Sequence, residues 1–270
     1  MTHRQVLDLI WNTYNPAYFE KTCDGFKFGN PDEECTGMVT SCALTIRVIQ
    51  EAIRLGCNLI MVHEPSFYSD WDDTEWLEDN AVFEAKKKLL EENGIAVCRH
   101  HDHMHGAMKP DEIMQGVIKE LGWMEYVVDD GGRALHRVKI PPVTLRELVE
   151  HLQKCLKLET GRVVGRMDAV VSNIVFCGHV FPSWNEKERE HTKLLNRDDV
   201  DVLIPGELID WTVVSYARDA EQLGLNKAII QTGHFAWEEP GMKWLAVRLK
   251  ALLPGLPVHY CASGDPYHFL

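Results

Sequence analysis

The sequence predicts an α/β protein built around largely parallel sheets, and three observations carry that prediction. A phrase of amphipathic helix, glycine and buried apolar strand occurs three times along the 270 residues. Each of those strands runs into histidine. Between the second and third phrases lies a further set of helix and strand patterns, so the two alternate along the chain and imply crossover units. At 45% hydrophobic residues the chain fills one large core or two smaller ones, because single cores rarely grow beyond about 250 residues.

Met1 to Phe19 carries Val6, Leu9 and Ile10 at helical spacing between polar residues, without the continuous apolar stretch of a signal peptide. Thr45 to Leu55 reads as an amphipathic helix through Ile46, Ile49 and Ile53; Gly56 stops it, and Asn58 to Val62 is a buried strand. The phrase returns as a helix from Glu75 to Asn93 with Leu77, Phe83, Leu89 and Leu90 inward, then Gly94, then a strand from Ile95 to Cys98. Its third occurrence is a helix around Trp211 to Leu223, Gly224, and a strand from Lys227 to Thr232. The middle is less regular. Asp129, Asp130, Gly131 and Gly132 form a turn-rich break, and Pro141-Pro142-Val143-Thr144 introduces a helix with Thr144 as N-cap. A strand at Ala169 to Cys177, a charged helix at Glu186 to Leu195 and a strand at Val200 to Ile204 follow. Trp237 to Pro240 reads as a loop before a helix from Met242 to Leu253. These elements place a second α/β unit at 127–226, inserted between 1–126 and a returning segment at 227–270.

Charge narrows the function classes. Lys and Arg number 28 against 41 acidic residues, a net charge of −13, and no basic stripe interrupts the acidic surface, which argues against nucleic acid or anionic lipid as partner. No run reaches the roughly 18 apolar residues of a spanning helix. The expectation is a cytoplasmic protein, in which thiols stay reduced. The eight cysteines never form C-x-x-C, and they read as small buried hydrophobes rather than disulfides or thiolate ligands.

The strand ends are where ligands bind in open α/β sheets. Val62 leads to His63, Cys98 to His100 and His101, and Thr232-Gly233 to His234, while four of the 13 histidines fall between positions 100 and 105. Any one of them alone reads as a hydrogen-bonded loop residue. His63-Glu64 is not H-E-x-x-H, and Pro65 blocks a helix there. Together, His63-Glu64, His101-x-x-x-His105 and His234-x-x-x-Glu238 supply four imidazoles and two carboxylates suited to Zn, Fe, Mn, Co or Ni. One catalytic ion takes about three protein ligands, so six fit two ions sharing a carboxylate. Such a pair lowers the pKa of a bridging water and polarises a carbonyl or phosphoryl oxygen, which makes hydrolysis by metal-bound water the natural chemistry. Asp102, His100 and His103 are then candidates for proton transfer or for orienting ligands.

These segments resemble the Nif-three-like proteins, the NGG-interacting-factor family, often labelled GTP cyclohydrolase I type two homologues. The resemblance rests on Leu55 to Pro65, Gly94 to His105 and Gly233 to Gly241, supported by Asp24 to Gly29, Pro205-Gly206-Glu207 and Asp265-Pro266-Tyr267, and spans nearly the whole chain in order. It implies two related α/β lobes facing a dinuclear metal site in the cleft between them, assembled as a ring-shaped hexamer. The family's first motif usually has two histidines, and its second a histidine with an aspartate four residues on. Here Glu64 and His105 stand at the exchanged positions, which keeps two nitrogens and one carboxylate. The implied ligand set is His63, Glu64, His101, His105, His234 and Glu238, with His103 an alternative to His101. The family's serine-containing loop appears here as Cys177 to Trp184, and its threonine-glycine-aspartate stretch as Pro205-Gly206-Glu207, so the substrate pocket differs; His179, Trp184, Glu207 and Trp237 are candidates to line it.

The reading that follows is a metal-dependent hydrolase of a small molecule, with a cyclic amide or amidine suggested by the cyclohydrolase label alone. A metal-binding regulatory or scaffold protein is the alternative, separated from the first by whether the metal keeps open positions. An iron redox enzyme is a third.

Overall fold

The computed structural model describes residues 1–14, 20–107, 111–129, 135–180 and 187–268. It is a mixed α/β protein with two sheets, and the chain divides into two compact units. The first comprises Met1–Gly116 and Gly241–Ser263, the second Val117–Pro240 and Gly264–Leu270.

The first unit holds the five-stranded sheet β1-β4-β3-β2-β11, formed by Gly25–Phe28, Ala96–Arg99, Leu59–Val62, Met38–Ser41 and Val258–Tyr260. Strands β2, β3 and β4 are buried at every position, as parallel strands covered on both faces must be. β11, β2, β3 and β4 pair in parallel, and β1 closes one edge antiparallel to β4. Its core joins Val39, Ile60, Val62 and Val97 of the strands to Ile49, Ala52, Phe83 and Leu90 of the helices. Each of these Val, Ile, Leu and Phe side chains contributes about 1.5–3 kcal/mol when fully buried.

Helix α1 (His3–Trp11) buries Val6 and Ile10, while Leu9 faces solvent. Helix α2 (Ile46–Leu55) starts on Thr45, whose hydroxyl accepts the Val48 N–H, and ends on Gly56 at φ 68°. Its inward face is Val48, Ile49 and Ala52; Ile46 and Ile53, read from the sequence as core, are exposed. The long helix expected from Glu75 is broken. Glu75–Leu77 is a 3-10 turn, and Asn80 caps a separate helix α3 (Ala81–Glu92) by accepting from Val82 and Phe83 N–H. An asparagine side chain that bonds the backbone in this way ends one helical run and starts another.

The second unit holds the six-stranded sheet β5-β6-β8-β9-β10-β7, formed by Val127–Asp129, Leu135–Thr144, Val170–Cys177, Val202–Pro205, Ala228–Gln231 and Arg162–Val164. β8, β9 and β10 are parallel neighbours, flanked by antiparallel β6 and β7. Helices α5 (Leu145–Leu156), α6 (Lys187–Asn196) and α7 (Val213–Gln222) belong here, and Thr144 caps α5 in a reciprocal box with Glu147. Because β10 pairs with β9, the segment returning to the first unit begins at Gly241, where the sequence reading placed it at residue 227. Helix α4 spans Glu112–Glu120 and α8 spans His234–Leu252. Helix α8 includes Pro240, so the loop expected at Trp237 to Pro240 is helical. Of the turn at 129–132, residues 130–132 lie outside the described residues. All eight cysteines are free thiols, six of them buried. Among the described residues no helix is long and apolar enough to cross a membrane.

Candidate metal sites

In the first unit, parallel pairing sets Val62 opposite Arg99, so His63 and His100 leave adjacent strands at the same sheet edge. The His100 N–H donates to the Val62 carbonyl at 2.8 Å. His63 is fully buried, and its Nδ1 lies 3.1 Å from the His100 carbonyl oxygen, an acceptor that requires Nδ1 to carry the proton. The Nε2 lone pair then faces the Nε2 of His105, 3.1 Å away. His105 sits on a π-helical turn, His103–Ala107, and its Nδ1 lies 2.7 Å from the Asp111 carboxylate, which fixes the same tautomer. Two nitrogens held as acceptors and aimed at one point fit a cation between them. Nitrogens bound at about 2.05 Å to one tetrahedral ion lie about 3.3 Å apart.

His101 completes the group. Its ring stacks on that of His63 at 4.5 Å and meets that of His105 edge-on at 4.8 Å. Its Nδ1 contacts Asp102 at 3.0 Å, so Nε2 is again the outward nitrogen. The Glu64 carboxylate lies 3.9 Å from His63 Nε2 and 4.0 Å from His101 Nε2. His63, His101 and His105 each bring one nitrogen within 4.8 Å of the others.

His103 turns elsewhere. Its Nδ1 is bonded to Asp24, whose carboxylate also accepts the backbone N–H groups of His101, Asp102 and His103. Burial opposes ionisation of Asp24, but the bond from His103, the proximity of His100 and these amides outweigh it and hold the carboxyl well below its ordinary range. Asp102 behaves alike: burial is overcome by bonds from His101, the Cys23 N–H and the Thr22 hydroxyl. Carboxylates so stabilised are weak bases; Asp102 ties His101 to Cys23 and Thr22, and Asp24 ties His103 to the backbone of the turn. Behind them His100, pushed down to about 4 by burial, contacts the Tyr14 hydroxyl at 3.0 Å, and Tyr14, pushed up to about 12 by burial, donates to Glu112.

In the second unit the carboxyl ends of β8, β9 and β10 lead to His179, Glu207 and His234. The His179 and His234 rings stack at 4.2 Å. Glu207 approaches His234 Nδ1 at 3.4 Å and His179 Nδ1 at 4.0 Å. Glu238, fully buried one helical turn after His234, reaches His234 Nε2 at 2.9 Å and His179 Nε2 at 3.4 Å. Gly206 makes room, since a β-carbon there would stand 2.6 Å from the His179 ring. His179, Glu207 and His234 each offer a donor atom within 4.8 Å of the others.

A family model described as Duf34/NIF3 (NGG1p interacting factor 3) matches residues 1–266. The chain belongs to the Duf34/NIF3 family.

Among curated relatives, a Clostridium acetobutylicum protein named GTP cyclohydrolase 1 type 2 homolog is 24% identical over 258 residues, covering 91% of this chain and 90% of its own length. A Bacillus cereus protein related to NIF3 superposes with a TM-score of 0.76 at 15% identity, over 100% of this chain and 99% of that one. The Staphylococcus aureus protein SA1388 gives 0.72 at 17% identity, again over 100% and 99%. Likeness at these identities shows the fold alone.

Of the six expected ligands, His63, Glu64, His101 and His105 belong to the first unit, and His234 and Glu238 to the second. His179 and Glu207, expected to line a substrate pocket, stand among the donors around His234. Trp237 is buried, and its Nε1 donates to the Ile204 carbonyl at 3.2 Å, which ties α8 to β9. Trp184 lies outside the described residues. Sequence reasoning gave no role to Asp24 or Asp111, which hold the histidine turn in place. Asp111 carries no signal in spacing, and Asp24 was visible only as part of a motif.

Proposed function

We propose that this Duf34/NIF3 protein is a metal-dependent hydrolase of a small cyclic amide or amidine, holding about two divalent transition-metal ions per chain, one at each group of donors. The observation that carries the reading is the pair of facing nitrogens on His63 and His105, each with its far side tied to an oxygen. Both donor groups fit borderline cations: three imidazoles and a carboxylate in the first unit, two imidazoles and two carboxylates in the second.

An ion bound there supplies an acidified water and an electrophile for a carbonyl oxygen. The chain's own part is to keep its ligands in the binding tautomer. The His100 carbonyl holds the proton on His63 Nδ1, Asp111 that on His105 Nδ1, and Asp102 that on His101 Nδ1. Glu64, Glu207 and Glu238 offset cationic charge. In the net reaction water oxygen bonds to the carbonyl carbon, the C–N bond breaks and the departing nitrogen gains a proton. The family resemblance also implies a homo-oligomer, a hexamer.

The test strips the protein with chelator, reloads it with Zn, Mn, Co, Fe or Ni, and screens lactams, ureides and cyclic amidines for ring opening. Turnover that disappears on stripping and returns on reloading supports the reading. Metal uptake without turnover of any class would favour a metal-binding regulatory protein, and no uptake would remove both.

A further inference from the structure

The second unit contains a cleft of about 490 Å³ beside the His179–His234 donors, within the size range of small-molecule sites. Glu207 and Gly233, the latter directly preceding His234, form part of its lining, so the cleft adjoins the donor group. Leu208, Ile209 and the Tyr267 ring give it apolar walls.

Its polar groups are set by their partners. Arg162 on β7 is paired in register with Gln231 on β10, and its Nε donates to Gln231 Oε1 at 2.7 Å. Arginine only donates, so the glutamine oxygen must face it, and the Gln231 amide NH2 is turned outward as a donor. Arg162 Nη1 donates to both oxygens of Asp210 at 3.1 Å, whereas its Nη2 has no partner among the described residues. Thr160 donates its hydroxyl proton to Asp265, which leaves the Thr160 oxygen as an acceptor. The cleft therefore presents two donors, Arg162 Nη2 and the Gln231 amide, and two acceptors, Thr160 Oγ1 and the Glu207 carboxylate. An amide edge, with C=O beside N–H, complements that set.

Charge sets a second limit. Asp210 neutralises Arg162, Glu207 and Glu238 balance a dication at the donor group, and Asp265 remains in excess. Among the described lining residues the one permanent cation, Arg162, is already paired with Asp210, and His268 alone could add a positive charge, too little for the three to four negative charges of a triphosphate.

We infer that this cleft binds a compact, uncharged ring carrying an amide edge, such as a cyclic ureide or lactam, and rejects nucleoside triphosphates. The inference rests on the proposed hydrolase reading and sharpens it, because it names the substrate class and the residues that select it.

Saturation-transfer NMR on the full metal-loaded chain with hydantoin, 5,6-dihydrouracil and 2-pyrrolidone tests it, with metal content measured on the same samples. The expected result is transfer to the ring protons of the ureides, binding about tenfold or more weaker in Arg162→Leu at unchanged metal content, and no displacement by equimolar GTP. Displacement by GTP, or unaltered ureide binding in both Arg162→Leu and Gln231→Leu, would overturn it. Absence of transfer to all three rings in a chain that retains its metal would overturn the cleft assignment alone. A chain that takes up no metal but still binds the ureides would leave the cleft standing and remove the hydrolase reading.

Discussion

Asp111 shows how much of the first donor group depends on a residue that is not a ligand. It holds the Nδ1 proton of His105 at 2.7 Å and accepts the Met114 N–H at the start of α4 with its other oxygen. Asp111→Asn keeps an acceptor for Met114 but loses the charge that fixes the imidazole. It should weaken metal binding about tenfold, measured by competition with a chromophoric chelator, while the unfolding midpoint moves little. An unchanged affinity would show that His105 is oriented by other means. This dependence was not legible in the sequence, because six residues of separation bring Asp111 to His105 only through the turn that Asp24 organises. The histidines themselves were legible, since each follows a strand whose apolar run is unambiguous. His101 and His103 were not separable, being two apart on an irregular turn, and only the bond from His103 to Asp24 divides their roles.

At the level of elements, β3 and β4 were readable because their buried positions are apolar up to Arg99, whereas the short β2, with Thr40 and Ser41, was not read. Edge strands were not. β1 is half-buried throughout, and β6, one strand in from the edge, continues through Pro141-Pro142 with a register shift between Lys139 and Val143, so prolines read as introducing a helix lie at an irregularity within a strand. The close fit of β1 to β4 gives a sharp prediction. Gly29 has φ 81°, and a β-carbon there would stand 2.6 Å from the Ala96 α-carbon, so Gly29→Ala should cost about 3 kcal/mol or more in denaturant unfolding. Gly56→Ala, at φ 68° but with open space around it, should cost only about 1 kcal/mol. Equal effects would contradict the packing. Helix α3 offers a pH test. Lys86 is buried, its ammonium donates to the Ser66 carbonyl at 2.6 Å, and burial pushes it down to about 8 from its ordinary 10.5. Between those values the unfolded chain holds more protons than the folded one, so stability should rise with pH from about 8 to 10.5, by up to roughly 3 kcal/mol. Lys86→Met should flatten that rise; a slope identical to that of the natural chain would show that another group causes it.

For the molecule as a whole, two α/β units were legible from the repeated helix, glycine and strand phrase, but their boundary was not. The strand ending at Gln231 looks like a third copy of the phrase, yet pairs with β9 in the second sheet, and no local pattern distinguishes one sheet from the other. The consequence for function is that four of the six expected ligands belong to the first unit and two to the second, where His179 and Glu207 stand beside His234. The hexameric assembly implied by family resemblance predicts a mass about six times 30.9 kDa in light scattering, and a monomer would remove that expectation. The most direct test of the central claim is metal stoichiometry by elemental analysis after reloading, on the natural chain and on two variants, His105→Ala and His234→Ala. The account predicts about two ions per chain in the first and about one in each variant. A natural chain that takes up none, or variants that both retain full occupancy, would contradict it.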